Sequence, residues 1–335
     1  MTNDLTQLVE KTLEDGPIAI RAAGRLMSLM EDQPWRLPEL FHAWASVRES
    51  HDGLSEQIPM PRLFLGITGA PGSGKSTLTD ALVSEYREKY PDRKVGVIAV
   101  DPSSPFTGGS VLGDRVRMMR HATDNNVFIR SLSARGHLGG LTLGVKGVAR
   151  IMGLIGCDVV IIETVGVGQS EVEVTQVADL VTVVLAPGQG DSIQMLKAGL
   201  MEIADLFVIN KADREGSAQL YTQLLNSLSL SFDKKETTDV KLVSATDKTG
   251  IDELVELLDQ RTSEQSADWP VLREKRMFAD VSESVLDQAR MRLAELLRKN
   301  PEMTKQIIDG TVTVKDVAQV LLEQACSDGC DVTAG

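Results

Sequence analysis

Residues 63–78 read LFLGITGAPGSGKSTL, and no other stretch restricts the fold of this chain so tightly. An apolar run feeds a glycine-rich loop, and the pattern that follows, TLTDALVSEYREKY, is helical. Gly69, Gly74, Lys75 and Ser76 fit G-x-x-x-x-G-K-[ST]. In such a loop the backbone N–H groups cradle phosphates, the lysine reaches the outer ones and the hydroxyl takes a magnesium ion. The expected nucleotide contacts are therefore Gly69, Ala70, Pro71, Gly72, Ser73, Gly74, Lys75, Ser76 and Thr77. Glycines let the backbone turn and approach an anion closely, and the helix that follows points its N-terminal dipole at the same charge.

This strand–loop–helix unit sets the reading of what comes after it. The runs LFLGIT, VGVIAV, VFIR, VVII, LVTVVL, LFVI and KLVS are separated by helical segments. Unbroken apolar strands alternating with helices imply an α/β fold, a mainly parallel central sheet covered by helices on both faces. Ligands bind such sheets at the loops following the strands. Residues 1–58 read as an N-terminal helical segment, 59–262 as the P-loop domain and 263–335 as a C-terminal helical arm suited to dimerisation, with a frayed tail beyond Ala325. His42, set among Phe41, Ala43 and Trp44, reads as a packing residue.

Carboxylates at strand ends are the expected metal ligands. Asp101 closes the second run, Asp114 follows in the Pro/Ser/Gly-rich loop, and Glu163 ends the fourth run. Together with Ser76 they supply the hard oxygens that magnesium prefers. Lys75, Asp114, Glu163 and Gly166 form the expected catalytic set, since Gly166 can offer its N–H to a terminal phosphate lost on hydrolysis. No side chain in these motifs is an obvious base for water, and no arginine is clearly placed as a finger, so a partner is expected to complete the site. A second glycine-bearing loop, GQGDSIQMLKAG, carries Gln189, Asp191 and Lys197 as switch candidates.

The sixth run ends in Asn210-Lys211-Ala212-Asp213, the N-K-x-D pattern. A carboxylate at Asp213 can accept from the guanine ring N1–H and the exocyclic amine together, a pairing adenine does not offer. Ser244-Ala245-Thr246 follows a later strand, where a loop N–H can meet the guanine oxygen. GTP and GDP are the expected ligands. A P-loop kinase or transport-coupled ATPase is the alternative, and N-K-A-D counts against it.

The net charge of −13 and a 4% aromatic content argue against a nucleic-acid partner, which calls for a basic face and stacking platforms. No apolar run approaches the roughly 20 residues of a membrane span. Three cysteines, Cys157, Cys326 and Cys330, are too few and too odd for a disulfide framework, and the first residues carry neither a signal nor a transit pattern, so a cytoplasmic setting is expected. Cys326 and Cys330 have no histidine nearby to make a zinc site and read as two thiols.

With GAPGSGKST, AVDPSSPFTGGSVLGDRVRM, RGHLGG, IIETVGVGQSE, MEIADLFVINKAD and SAT in view, the chain resembles the MeaB-type G-protein chaperones. These are bacterial counterparts of the human methylmalonic aciduria type A protein, and relatives are labelled ArgK. The resemblance is strong over residues 60–260 and weak in the flanking helices. It implies a homodimeric GTPase of the SIMIBI class that gates adenosylcobalamin loading of an acyl-CoA mutase of the methylmalonyl-CoA type. The cobalamin would sit only on the mutase. It also implies phosphate binding by Lys75, magnesium near Ser76, Asp101, Asp114 and Glu163, switching at Gly166, guanine binding by Asp213, and a third switch over 186–197 in which Lys197 signals. Ser192 stands where relatives commonly carry an acid, which leaves the client mutase open.

Overall fold

The computed structural model describes residues 2–14, 16–51, 53–55, 58–102, 119–121, 123–134, 140–164, 176–188, 200–229, 238–276, 282, 298, 305, 309–313 and 315–317. Seven strands form one sheet: β1 (Leu63–Gly69), β2 (Lys94–Pro102), β3 (Val127–Ala134), β4 (Cys157–Thr164), β5 (Leu180–Leu185), β6 (Leu206–Ile209) and β7 (Asp239–Leu242). These are the seven apolar runs of the sequence. Their order is β3-β2-β4-β1-β5-β6-β7, and every pairing is parallel. β1 lies between β4 and β5, so the chain builds one half of the sheet and then crosses to the other beside it. The crevice that such a reversal opens is where open α/β sheets bind ligands.

Burial follows strand position. β1 and β5 are buried along their whole length, whereas the edge strand β7 is half-buried and ends exposed at Leu242. On one face α4 (Lys75–Lys89) packs with α8 (Ile251–Gln265), contributing Leu78, Leu82, Tyr86, Leu254 and Leu258 to a core with Leu65, Ile67 and Val97. On the other face lie α5 (Gly140–Leu154) and the N-terminal helices α1 (Thr2–Thr12), α2 (Pro17–Asp32) and α3 (Leu37–Ser50). α6 (Leu200–Ile203) and α7 (Ser217–Ser229) flank β6, with Leu220 and Leu224 packed on Phe207 and Ile209.

The N-terminal helices share one core with the sheet. Leu5, Leu26, Met30, Leu40 and Trp44 cluster with Val148 and Met152 of α5 and with Phe64, Ile98 and Val160 of the strands. Gly147 makes the helix contact close: a Cβ there would stand 2.8 Å from Met30 Cβ. The buried residues of α2, Ala22, Ala23, Leu26, Met27 and Met30, recur at the three-to-four spacing of an amphipathic helix. His42 corrects its reading: it faces solvent beside the exposed Phe41, while Leu40, Ala43, Trp44 and Val47 are buried, because its place in the repeat falls on the outer face of α3.

The ends of the strands opposite the glycine loop are bound by charge. Arg273, in the helical stretch 269–276, pairs with the fully buried Asp179, which also accepts from Phe64 N at 2.9 Å. Arg62 Nη2 donates to Asp259 Oδ1 of α8 at 2.6 Å, and Tyr90 Oη donates to Asp259 Oδ2 at 2.5 Å. The chain divides into two compact units, Met1–Arg276 and Met277–Gly335. In the second, Thr313 Oγ1 donates to Asp316 Oδ2 (2.6 Å) and accepts from Asp316 N (3.2 Å), a reciprocal helix cap.

Candidate nucleotide site

The glycine loop turns between β1 and α4 at backbone angles that only glycine adopts without strain. Gly69 has φ +142 and Gly74 φ +92. Space excludes a side chain as firmly as torsion does. A Cβ on Gly69 would lie 2.2 Å from the Val184 carbonyl of β5, and one on Gly74 would lie 2.4 Å from Asn210 Nδ2. The loop is thus seated on its neighbouring strand and on the N-K-x-D segment.

Lys75, the first residue of α4, is buried and bends back over the loop. Its Nζ donates to Gly69 O at 2.8 Å and Ala70 O at 3.0 Å. Ser76 Oγ donates to Glu163 Oε1 at 2.5 Å, bringing residues 87 positions apart into contact. Strand register makes this possible, since Glu163 pairs with Ile67 at the end of β1 and with Ala99 of β2. Ser73 Oγ, fully buried in the same loop, has no hydrogen-bond partner among the described residues. A cationic amine, a hydroxyl–carboxylate pair and an orphaned buried hydroxyl beside a helix start suit an anion held with a hard cation.

The N-K-x-D segment is stitched to that loop. Asn210 Nδ2 donates to Ser73 O (3.0 Å) and Gly74 O (3.3 Å), while its Oδ1 accepts from Lys211 N (2.8 Å) and Ala245 N (3.1 Å). Lys211 sits at φ +59, an uncommon angle for a residue with a side chain, and its Nζ donates to Gly72 O at 2.6 Å. Asp213 is exposed at the end of this segment. Its Oδ1 lies 2.8 Å from Ser244 Oγ, and the same hydroxyl lies 2.8 Å from Asp247 Oδ2.

In the last loop Ser244 and Thr249 exchange backbone bonds of 3.0 and 3.1 Å, closing the turn 245–248. Ser244 N and Ala245 N are therefore both engaged, and Thr246 N is the donor of the tripeptide that the turn leaves available. Asn210 contributes through the loops it joins, a role that its motif alone did not specify.

The structure brings together Gly69 through Thr77, Glu163, Asn210, Lys211, Asp213, Ser244, Ala245 and Thr246, all at the ends of β1, β4, β6 and β7. Asp101, the last but one residue of β2, has its backbone paired to Ser133. Asp114, Gly166, Gln189, Asp191, Lys197 and the thiols Cys326 and Cys330 lie outside the described residues. Among the described residues no group of three or more His, Cys, Asp or Glu side chains forms a metal cluster, and no helix is long and apolar enough to cross a membrane.

Two contacts had no sequence signal. Asp247 reads as an ordinary turn residue until Ser244 is placed beside it. Asp80 of α4 receives Arg120 Nε at 2.6 Å and faces His121 Nε2 at 2.9 Å, fastening 119–121 to the helix that begins with Lys75.

The family model of the methylmalonyl-CoA mutase-associated GTPase MeaB matches residues 60–302. A protein of Pyrococcus abyssi described as a GTPase is 40% identical over 304 residues, 90% of this chain and 83% of that one. GTPase ArgK of Escherichia coli is 44% identical over 218 residues, covering 61% and 65% of the two chains. The mitochondrial methylmalonic aciduria type A homolog of Caenorhabditis elegans is 43% identical over 155 residues, 46% and 39% of the two. Among solved structures, that of an LAO/AO transport system kinase superposes with a TM-score of 0.65 at 24% identity over 97% of both chains, a likeness of fold. The chain belongs to the MeaB family of P-loop GTPases.

Proposed function

We propose that this GTPase is a nucleotide-dependent chaperone that gates the loading of adenosylcobalamin onto an acyl-CoA mutase of the methylmalonyl-CoA type. The observation that carries the nucleotide half is the exposed Asp213 carboxylate, joined through Asn210 and Lys211 to the loop that holds the phosphates. One carboxylate accepting from two guanine nitrogens distinguishes GTP from ATP, and Thr246 N–H is the donor for the guanine oxygen. Membership of a mutase-associated family supports the client half.

In this reading Lys75 exchanges its two loop carbonyls for the β- and γ-phosphates and neutralises charge there in the transition state. Ser76 and Glu163, already in contact, would hold magnesium, joined by Asp101 and Asp114. Bound magnesium would supply positive charge that offsets the charge developing on the phosphates. Gly166 reads the terminal phosphate, and the segments 101–117, 163–171 and 186–197, with Gln189, Asp191 and Lys197, relay its loss to the mutase. Intrinsic turnover is slow and the mutase stimulates it. Residues 59–262 form the GTPase domain, 1–58 a helical segment packed on its sheet, and 263–335 a homodimerisation arm. The setting is cytoplasmic.

Single-turnover hydrolysis of GTP beside ATP tests the activity, with GTP consumed and ATP left intact. Equal consumption would return the protein to the kinase or transport-ATPase class. Measuring GTP and GDP affinity with and without the mutase tests the client. By linkage, a mutase that prefers the GTP form must raise GTP affinity over GDP by the same factor, so identical affinities in both conditions would remove the chaperone assignment.

A further inference from the structure

We infer that Asp247 is a positioning residue that weakens the grip on guanine by competing with Asp213 for the single proton of Ser244. The inference rests on the reading of Asp213 as the guanine acceptor. Ser244 Oγ stands 2.8 Å from Asp213 Oδ1 and 2.8 Å from Asp247 Oδ2. A hydroxyl has one hydrogen to give, so it serves one carboxylate at a time. Asp213 is exposed, and Ser244 is the one hydrogen-bond partner that fixes its carboxylate among the described residues. When the proton turns to Asp247, that orienting bond is lost.

The arrangement is built rather than incidental. Ser244 is buried, and its backbone is locked by the two-bond bridge to Thr249. The turn so closed carries Lys248 at φ +59, a left-handed residue directly after Asp247. Both acceptors are thereby held at equal distance from a hydroxyl whose own position is fixed.

Affinity through a fraction of competent molecules is the intrinsic affinity multiplied by that fraction. For an evenly shared proton the fraction is one half, so removing the competitor tightens guanine binding by about twofold, and by more where Asp247 holds the proton longer. A protein that must exchange GDP for GTP gains faster release from the same competition.

The experiment measures GDP and ADP affinity of the full chain by calorimetry. It compares the wild type with Asp247→Ala and Asp247→Glu, each alone and combined with Ser244→Ala. Asp247 is exposed, so its replacement leaves the core intact. Asp247→Ala should tighten GDP by about two- to fivefold, with Asp247→Glu close to the wild type. In the Ser244→Ala background the gain should vanish, because no proton remains to be shared. An unchanged or weaker GDP affinity in Asp247→Ala overturns the inference, as does a gain that persists without Ser244, which would mark a simple charge effect. Wild-type binding of ADP as tight as GDP would instead remove the guanine reading beneath it.

Discussion

The two ends of the sheet are held by different chemistry. At the loop end, the amine and amide side chains bond to backbone: Lys75 to Gly69 O and Ala70 O, Lys211 to Gly72 O, and Asn210 to Ser73 O and Gly74 O. At the opposite end, charges meet charges: Arg273 with Asp179, and Arg62 with Asp158 and Asp259. A lysine or amide on a carbonyl is a bond that a ligand can replace without leaving an ion stranded. A buried ion pair admits no such exchange, because losing one partner leaves an uncompensated charge. The end that must open to a ligand carries exchangeable bonds, and the end that anchors α8 and 269–276 carries pairs that do not exchange.

The largest expected effect is at the anchoring end. Asp179→Ala strands Arg273 and removes the acceptor of Phe64 N, and should cost about 3–5 kcal/mol of unfolding free energy. Guanine-nucleotide affinity of the folded protein should stay unchanged. Urea titration with and without GDP reads both, and a lost affinity would mean that the two ends are one cooperative system.

Lys75→Ala is the counterpart at the loop end. Hydrolysis should fall by about 10²–10³-fold, the cost of one preorganised charge-stabilising donor, with little change in melting temperature. A collapse of stability would show that Lys75 holds the fold and not only the phosphates.

Asp213→Asn should lose roughly 10- to 100-fold in GTP affinity, since hydrogen bonds to a charged group are worth about 1.5–3 kcal/mol each, and should shift preference toward xanthine nucleotides. Competition between the two nucleotides measures it. Retained guanine preference would move the base-reading role elsewhere.

The one effect confined to alkaline pH returns to the anchoring end, at Cys157, the first residue of β4. Burial pushes its thiol up to about 12, with the nearby Lys94 charge acting in the lowering sense. The folded state thus keeps its proton where the unfolded thiol, near pH 8.5, releases it. Its contribution is complete below that pH and is lost as pH rises toward 12, with a slope of about 1.4 kcal/mol per unit. Cys157→Ala should flatten the fall in stability between pH 9 and 11, and an identical slope would assign the alkaline loss to other groups, such as Tyr86, whose hydroxyl burial also pushes upward.

Legibility divides along the same line. All seven strands and the glycine loop were readable because apolar runs and glycine spacing are local signals, and the segment carrying Asp213 because its motif is contiguous. Arg62 and Asp259 lie 197 positions apart, so nothing in the neighbourhood of either announces the other. His42 was misread for a related reason: its neighbours are apolar, but the helical repeat turns it outward. The union of α1, α2 and α3 with the sheet core depends on Gly147 accepting Met30, a fit between shapes that composition does not record.

The folded-back Lys75 sets the zero from which nucleotide binding is measured. Its ammonium is already solvated by two carbonyls of its own loop, so under the proposed function an incoming phosphate would displace an internal substitute instead of meeting a bare cation. Binding heat reports only the difference between the two sets of partners, and two amide dipoles are released as the lysine leaves.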